Sequence, residues 1–213
     1  PIYHAFKSVH SLLAQHNEEI ALSDYAEKPK VYIFHGLDAI YDIRQKTWLE
    51  HTSMGWDLLE MNLNYGVVTD TAEFDPSIKP VIIANFHAYD KKLDTDIASK
   101  LINYCEKGGT LVIGNAFGKY DRYLWPNTQI ETALDKLRGI KVSELKRGKV
   151  KIIVPNKKYR IPDIEIKDTY YVEGSYETLD PSAEILLEME ISGKRQPALI
   201  RKKFGKGIVY YFL

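Results

Sequence analysis

The sequence predicts an α/β fold: a mainly parallel sheet with helices on both faces, followed by a C-terminal antiparallel meander. Three observations lead there. Between Lys30 and Ile113, short β-branched and aromatic runs bounded by glycine or proline alternate with stretches whose apolar residues recur three and four apart. That is the repetition that parallel strands with right-handed helical crossovers require. From Lys149 onward the helical spacing gives way to short alternating runs separated by turn residues. Between the two, Gly109-Thr-Leu-Val-Ile-Gly-Asn-Ala-Phe-Gly118 runs from the end of a glycine pair through an apolar strand into a turn with two further glycines. In open α/β sheets, sites gather at such strand ends.

Taken in order, Phe6, Val9, Leu13 and Ile20, with Leu12 beside them, recur at helical spacing and predict an amphipathic leading helix. We place this N-terminal helix at residues 1–28 and the α/β domain at 29–213. His4, His10 and His16 lie six residues apart, about 600° of helical rotation, so they diverge and do not share a metal. Lys30 to Gly36 reads as a buried first strand. Leu49, Thr52, Trp56, Leu59 and Leu63 are spaced alternately three and four apart and predict a long helix that Asn64-Tyr-Gly66 ends. Gly66–Thr69 and Pro80–Asn85 are the second and third strands, separated by a turn at Phe74–Ile78. Asp94 or Thr95 caps a helix carrying Ile97, Leu101, Tyr104 and Cys105, which Gly108-Gly109 closes. Asn127 caps another, through Ile130, Leu134 and Leu137 to Gly139. Lys149–Val154, Ile185–Ile191, Pro197–Arg201 and the run after Gly205-Lys-Gly207 are the strands of the meander.

Composition excludes several functions. A chain of 213 residues fits one large domain that buries roughly 70% of its unfolded surface without a metal or disulfide. Lysine plus arginine and aspartate plus glutamate balance at 29 each, leaving no field to attract nucleic acid. No apolar run reaches the ~18 residues of a membrane span, and no secretory leader is evident. The single cysteine, Cys105, forms no internal disulfide and suits a reducing compartment, so the expected location is the cytoplasm. The chain opens on Pro1 and stops directly after the apolar run Ile208–Leu213, and is expected to be part of something longer.

Candidate chemistry lies at the carboxyl ends of the strands. His35 and His87 each follow an apolar strand and fall at one edge of a parallel sheet, with Asp38, Asp90 and Asn115 nearby. They could line a pocket, or simply cap loops; without motif spacing they specify no metal. Cys105 lies within a helix's apolar stripe, where a small core residue belongs. The acidic residues are spread along helices and loops and mark no glycosidase pair. Tyr120-Asp-Arg-Tyr-Leu-Trp125 follows the glycine turn; its Tyr120, Tyr123 and Trp125 could stack on a sugar, pack on a neighbouring subunit or cover the sheet edge.

Several stretches together resemble the middle domain of family-42 glycoside hydrolases, the β-galactosidase trimerisation domain. They are Lys30–Phe34, the Trp48–Leu63 helix, Gly66-Val67-Val68, Leu101–Gly109 with Thr110-Leu-Val, Leu134–Glu144, Gln196–Arg201 and Phe204–Tyr211, and the leading helix at 1–28 resembles the linker that joins that domain to a preceding barrel. The resemblance implies a flavodoxin-like, class I glutamine amidotransferase-like fold. Amidotransferases of that fold carry a G-x-C-x-G turn, and the matching residues here are Gly114-Asn-Ala-Phe-Gly118, with Ala116 where the nucleophile would stand. In family-42 enzymes the catalytic glutamates belong to a preceding barrel, so the resemblance assigns no catalytic residue, metal or cofactor to this chain. What it implies is a non-catalytic assembly domain: a homo-oligomer, by family a trimer, bordering a neighbouring barrel's sugar site and meeting carbohydrate only through the parent enzyme. The alternatives are a metal-dependent hydrolase using His35 and His87, and a sugar-binding module using Tyr120, Tyr123 and Trp125.

Overall fold

The structure, a computed structural model, describes residues 29–35, 54–69, 71–84, 91–114, 117, 134–144, 149–155, 169–170, 175–191 and 194–212. Its strands are β1 (Val31–Phe34), β2 (Tyr65–Val68), β3 (Val81–Ala84), β4 (Thr110–Ile113), β5 (Ile140–Glu144), β6 (Lys149–Pro155), β7 (Thr169–Tyr170), β8 (Ser175–Leu179), β9 (Glu184–Ile191), β10 (Lys194–Phe204) and β11 (Gly207–Phe212). Among the described residues nine of them form one mixed sheet, in the order β2-β1-β3-β4-β11-β10-β9-β6-β7. β2, β1, β3, β4 and β11 run parallel. β11, β10, β9, β6 and β7 are antiparallel neighbours. The last strand is therefore the seam: it continues the parallel half beside β4 and closes the meander beside β10. Gly205, at φ 57°, turns the chain there, with the Glu106 backbone too close for a side chain.

Strand alternation divides the apolar residues between two faces. On one face Phe34, Val68, Ile82, Ala84, Leu111, Ile113, Val209 and Tyr211 pack with Ile97, Ala98, Leu101, Tyr104 and Cys105 of the Lys91–Glu106 helix and with Leu134 and Leu137. On the other, Ile33, Val31, Tyr65 and Ile83 pack against Leu58 and Met54 of the helical segment at 54–60. Gly55 allows this approach, since a methyl group there would lie 2.6 Å from the Tyr65 hydroxyl. The expected α/β architecture, parallel sheet and antiparallel meander are thus all present.

Local differences have physical causes. The first long helix ends at Asn62, ahead of Asn64-Tyr-Gly66: Asn62 takes φ 55°, its N–H donates to Leu59 and that of Leu63 to Leu58, a Schellman closure in which asparagine replaces glycine. The described helix Lys91–Glu106 already contains Asp94 and Thr95, so neither is its cap, contrary to the expectation: an acidic or hydroxyl residue before an apolar stripe is compatible with a place inside the helix as well as with a cap. β5 and β8 pair antiparallel as a separate two-stranded sheet that short, charged segments far apart in sequence did not announce. The turn at Phe74–Ile78 is as expected, with the Asp75 carboxylate accepting from the Ser77 N–H and hydroxyl at 2.9 and 2.8 Å.

Candidate functional site

The parallel strands end together, so His35 after β1 and Gly114 after β4 lie at one edge. His35 is half-buried there, its backbone N–H donating to the Val68 carbonyl at 2.8 Å. Gly114 is buried, its N–H donating to Ala84 at 3.1 Å, and the Phe117 N–H closes the turn onto the Gly114 carbonyl at 3.2 Å. His87, Asn115, Ala116, Tyr120, Tyr123 and Trp125, with Asp38 and Asp90, lie outside the described residues.

Beneath this turn is an arrangement that motif reading missed. Phe117 is 1% exposed and meets Phe34 edge to face at 5.8 Å; Phe34 meets Phe74 similarly at 6.0 Å. The turn is thereby anchored by a ring in the core. Arg138, 2% exposed, donates from Nη2 to the Phe117 carbonyl at 2.5 Å, sits 5.3 Å from the centroid of the Tyr211 ring and lies 3.7 Å from Asp135. Burial raises the Asp135 carboxyl above its ordinary range against the opposing pull of Arg138. The available signal was a charged residue one position past Leu137 and four past Leu134, on the buried stripe of its helix. A guanidinium that holds a carbonyl and an aromatic ring fixes the shape of a turn; it offers no nucleophile.

Nor does Cys105 offer one. It is fully buried, and burial, reinforced by Glu106, pushes its thiol up to about 12, where the reactive thiolate is scarce. Among the described residues no group of three histidine, cysteine or acidic side chains could hold a metal ion, and no helix is long and apolar enough to cross a membrane. An open cleft of about 570 Å³ lies away from the strand ends, between Gly139, Lys141, Pro181 and Phe204. Its best-placed charges hold each other: Lys202 Nζ is 2.6 Å from Asp180 Oδ2 and donates to the Lys136 carbonyl at 2.9 Å. These hydrogen bonds join the meander to the 134–138 helix.

Strand order β2-β1-β3-β4-β11 with helices on both faces defines an α/β domain of flavodoxin-like topology. The chain belongs to the β-galactosidase trimerisation domain family of glycoside hydrolase family 42, whose model matches residues 56–212. It is similar in fold to a β-galactosidase from Bacillus circulans sp. alkalophilus, with a TM-score of 0.61 and 17% identity over 87% of this chain and 28% of that one. An exo-β-1,4-mannosidase from Opitutaceae bacterium strain TAV5 is similar at a TM-score of 0.57 and 16% identity, over 88% and 31% of the two chains. A ThuA-like protein from Bacteroides uniformis gives 0.53 and 14%, over 89% and 84%. The chain thus spans less than a third of the β-galactosidase and the mannosidase. No curated protein matches it significantly.

Proposed function

We propose that this chain is a non-catalytic assembly domain of a β-galactosidase-like glycoside hydrolase. The family match over residues 56–212 carries the reading. The interior supports it, because the one thiol is buried and protonated and the turn at the strand ends is built around a buried phenylalanine and arginine. In this reading residues 29–213 are the assembly unit and 1–28 the connection to a catalytic barrel, which supplies the acid and nucleophile. Association joins the copies into a ring of three by burying apolar surface, and the carboxyl edge, with His35, borders a neighbouring barrel's sugar site. Carbohydrate is met only there.

The test pairs two readouts on the purified chain. Chromogenic β-galactosides are expected to stay intact while light scattering reports a defined oligomer. Turnover above background, or a monomer at every concentration, would overturn the proposal.

A further inference from the structure

The helical segment at 54–60 has more apolar surface than the domain uses. At about 100° per residue, Met54, Leu58 and Gly55 span an arc of roughly 100°, and this is the arc that packs on Ile33, Tyr65 and Ile83. Leu59 and Trp56 extend the apolar arc by about another 100°, yet they are 47% and 64% exposed. These two belong, with Leu63, to the three-and-four stripe that predicted the helix, and all three are exposed. Beyond it, Val67 is 59% exposed although its register partner Ile33 is 2% exposed, so the described helical segment leaves Val67 uncovered on β2, the outermost strand of the described sheet. Seven large apolar residues are conspicuously exposed among those described, and five of them, Trp56, Leu59, Met61, Leu63 and Val67, fall between 56 and 67. Scattered apolar residues are ordinary on a surface; five exposed large ones within twelve residues of sequence, with Trp56 and Leu59 neighbours at i and i+3 of one helical segment, are not.

We propose that this surface, Trp56, Leu59, Leu63 and Val67 beside the edge of β2, is where one copy of the chain meets another. The inference rests on the assembly reading above. A second copy is the occupant that fits: the family is one of trimerisation domains, the surface includes Trp56, of the residue type most enriched at interface hot spots, and Asp57 and Glu60, exposed beside it, supply a polar rim. An interface of standard size takes about 800 Å² from each partner, so this patch is its centre. In a three-membered ring it meets a different surface of the neighbour, since ring contacts run head to tail.

The test compares wild-type chain with Trp56→Asp, with Leu59→Lys as a second variant and Ile78→Asp, at another exposed apolar site, as the control. Sedimentation velocity gives the assembly state, circular dichroism the fold, and hydrogen exchange of residues 54–68 is followed at high and low protein concentration. The expected result is a folded Trp56→Asp or Leu59→Lys chain whose dissociation constant rises at least about 30-fold, the effect of losing an interface hot spot. Ile78→Asp should assemble like wild type, and protection at 54–68 should fade on dilution. An assembled wild type unaffected by either folded variant would overturn this surface while leaving the assembly reading standing. Protection at 54–68 that ignores concentration would also overturn it, pointing to cover by residues 1–28 of the same chain. A monomeric wild type would overturn the assembly reading itself.

Discussion

Replacing Arg138 with alanine probes whether the turn at the strand ends is held from beneath. Two interactions are lost: the charge-assisted hydrogen bond to the Phe117 carbonyl, worth about 1.5–3 kcal/mol, and the contact over the Tyr211 ring, worth about 0.5–2 kcal/mol. Asp135, at 3.7 Å and 32% exposed, adds little. Truncation also opens a void, while removing a buried cation returns part of its desolvation cost. The two roughly offset, so Arg138→Ala is expected to lose about 2–5 kcal/mol. Arg138→Met fills most of the volume without charge and is expected to lose about 1–3 kcal/mol, and Asp135→Asn under about 0.5 kcal/mol. Urea unfolding followed by far-ultraviolet circular dichroism gives the midpoints and slopes. Arg138→Met as stable as wild type would refute the reasoning, because the guanidinium would then be no better than an apolar filler.

Three further outcomes follow from the same structure. Gly109→Ala should cost about 1–3 kcal/mol in urea unfolding, since the Tyr104 ring occupies the space of a methyl group there and that ring is pinned by its hydroxyl donating to Lys79 at 2.7 Å; an unchanged midpoint contradicts this. Native Cys105 should react with an aromatic disulfide reagent at pH 8 about a thousand-fold more slowly than in denatured chain, because burial pushes its thiol up to about 12; equal rates would place it at the surface. Lys202 first, then the Ser182 hydroxyl and N–H, lower the Asp180 carboxyl. A depressed carboxyl stabilises the fold above its unfolded value, near pH 4, and the contribution is lost as pH falls through the folded value. Asp180→Asn should therefore cost up to about 1 kcal/mol at pH 7, the side chain being 36% exposed, and flatten the acid limb of the stability curve; a parallel shift at all pH values contradicts the linkage.

The parallel half was legible because each strand there is a short apolar run between breakers, and a buried parallel strand has little else to be. Glycine punctuation located the β10–β11 turn and the end of the Lys91–Glu106 helix for the same local reason. What escaped depends on distance in sequence. Ile140–Glu144 pairs with Ser175–Leu179 across a long connection, and neither segment carries a period strong enough to stand alone. Beyond its place on the buried stripe, Arg138 carries no local mark in the sequence, because its partners Phe117 and Tyr211 are distant in the chain. The Trp56, Leu59 and Leu63 stripe predicted the helix but not its orientation, since the sheet took Met54 and Leu58 instead. Of the strand-end residues, His35 is where the sequence placed it.

The central claim is self-association without chemistry, and sedimentation equilibrium of the wild-type chain at several loading concentrations addresses it most directly. The account predicts one species at three times the 24.5 kDa chain mass, dissociating only on dilution. A mass of one chain at every concentration would contradict it.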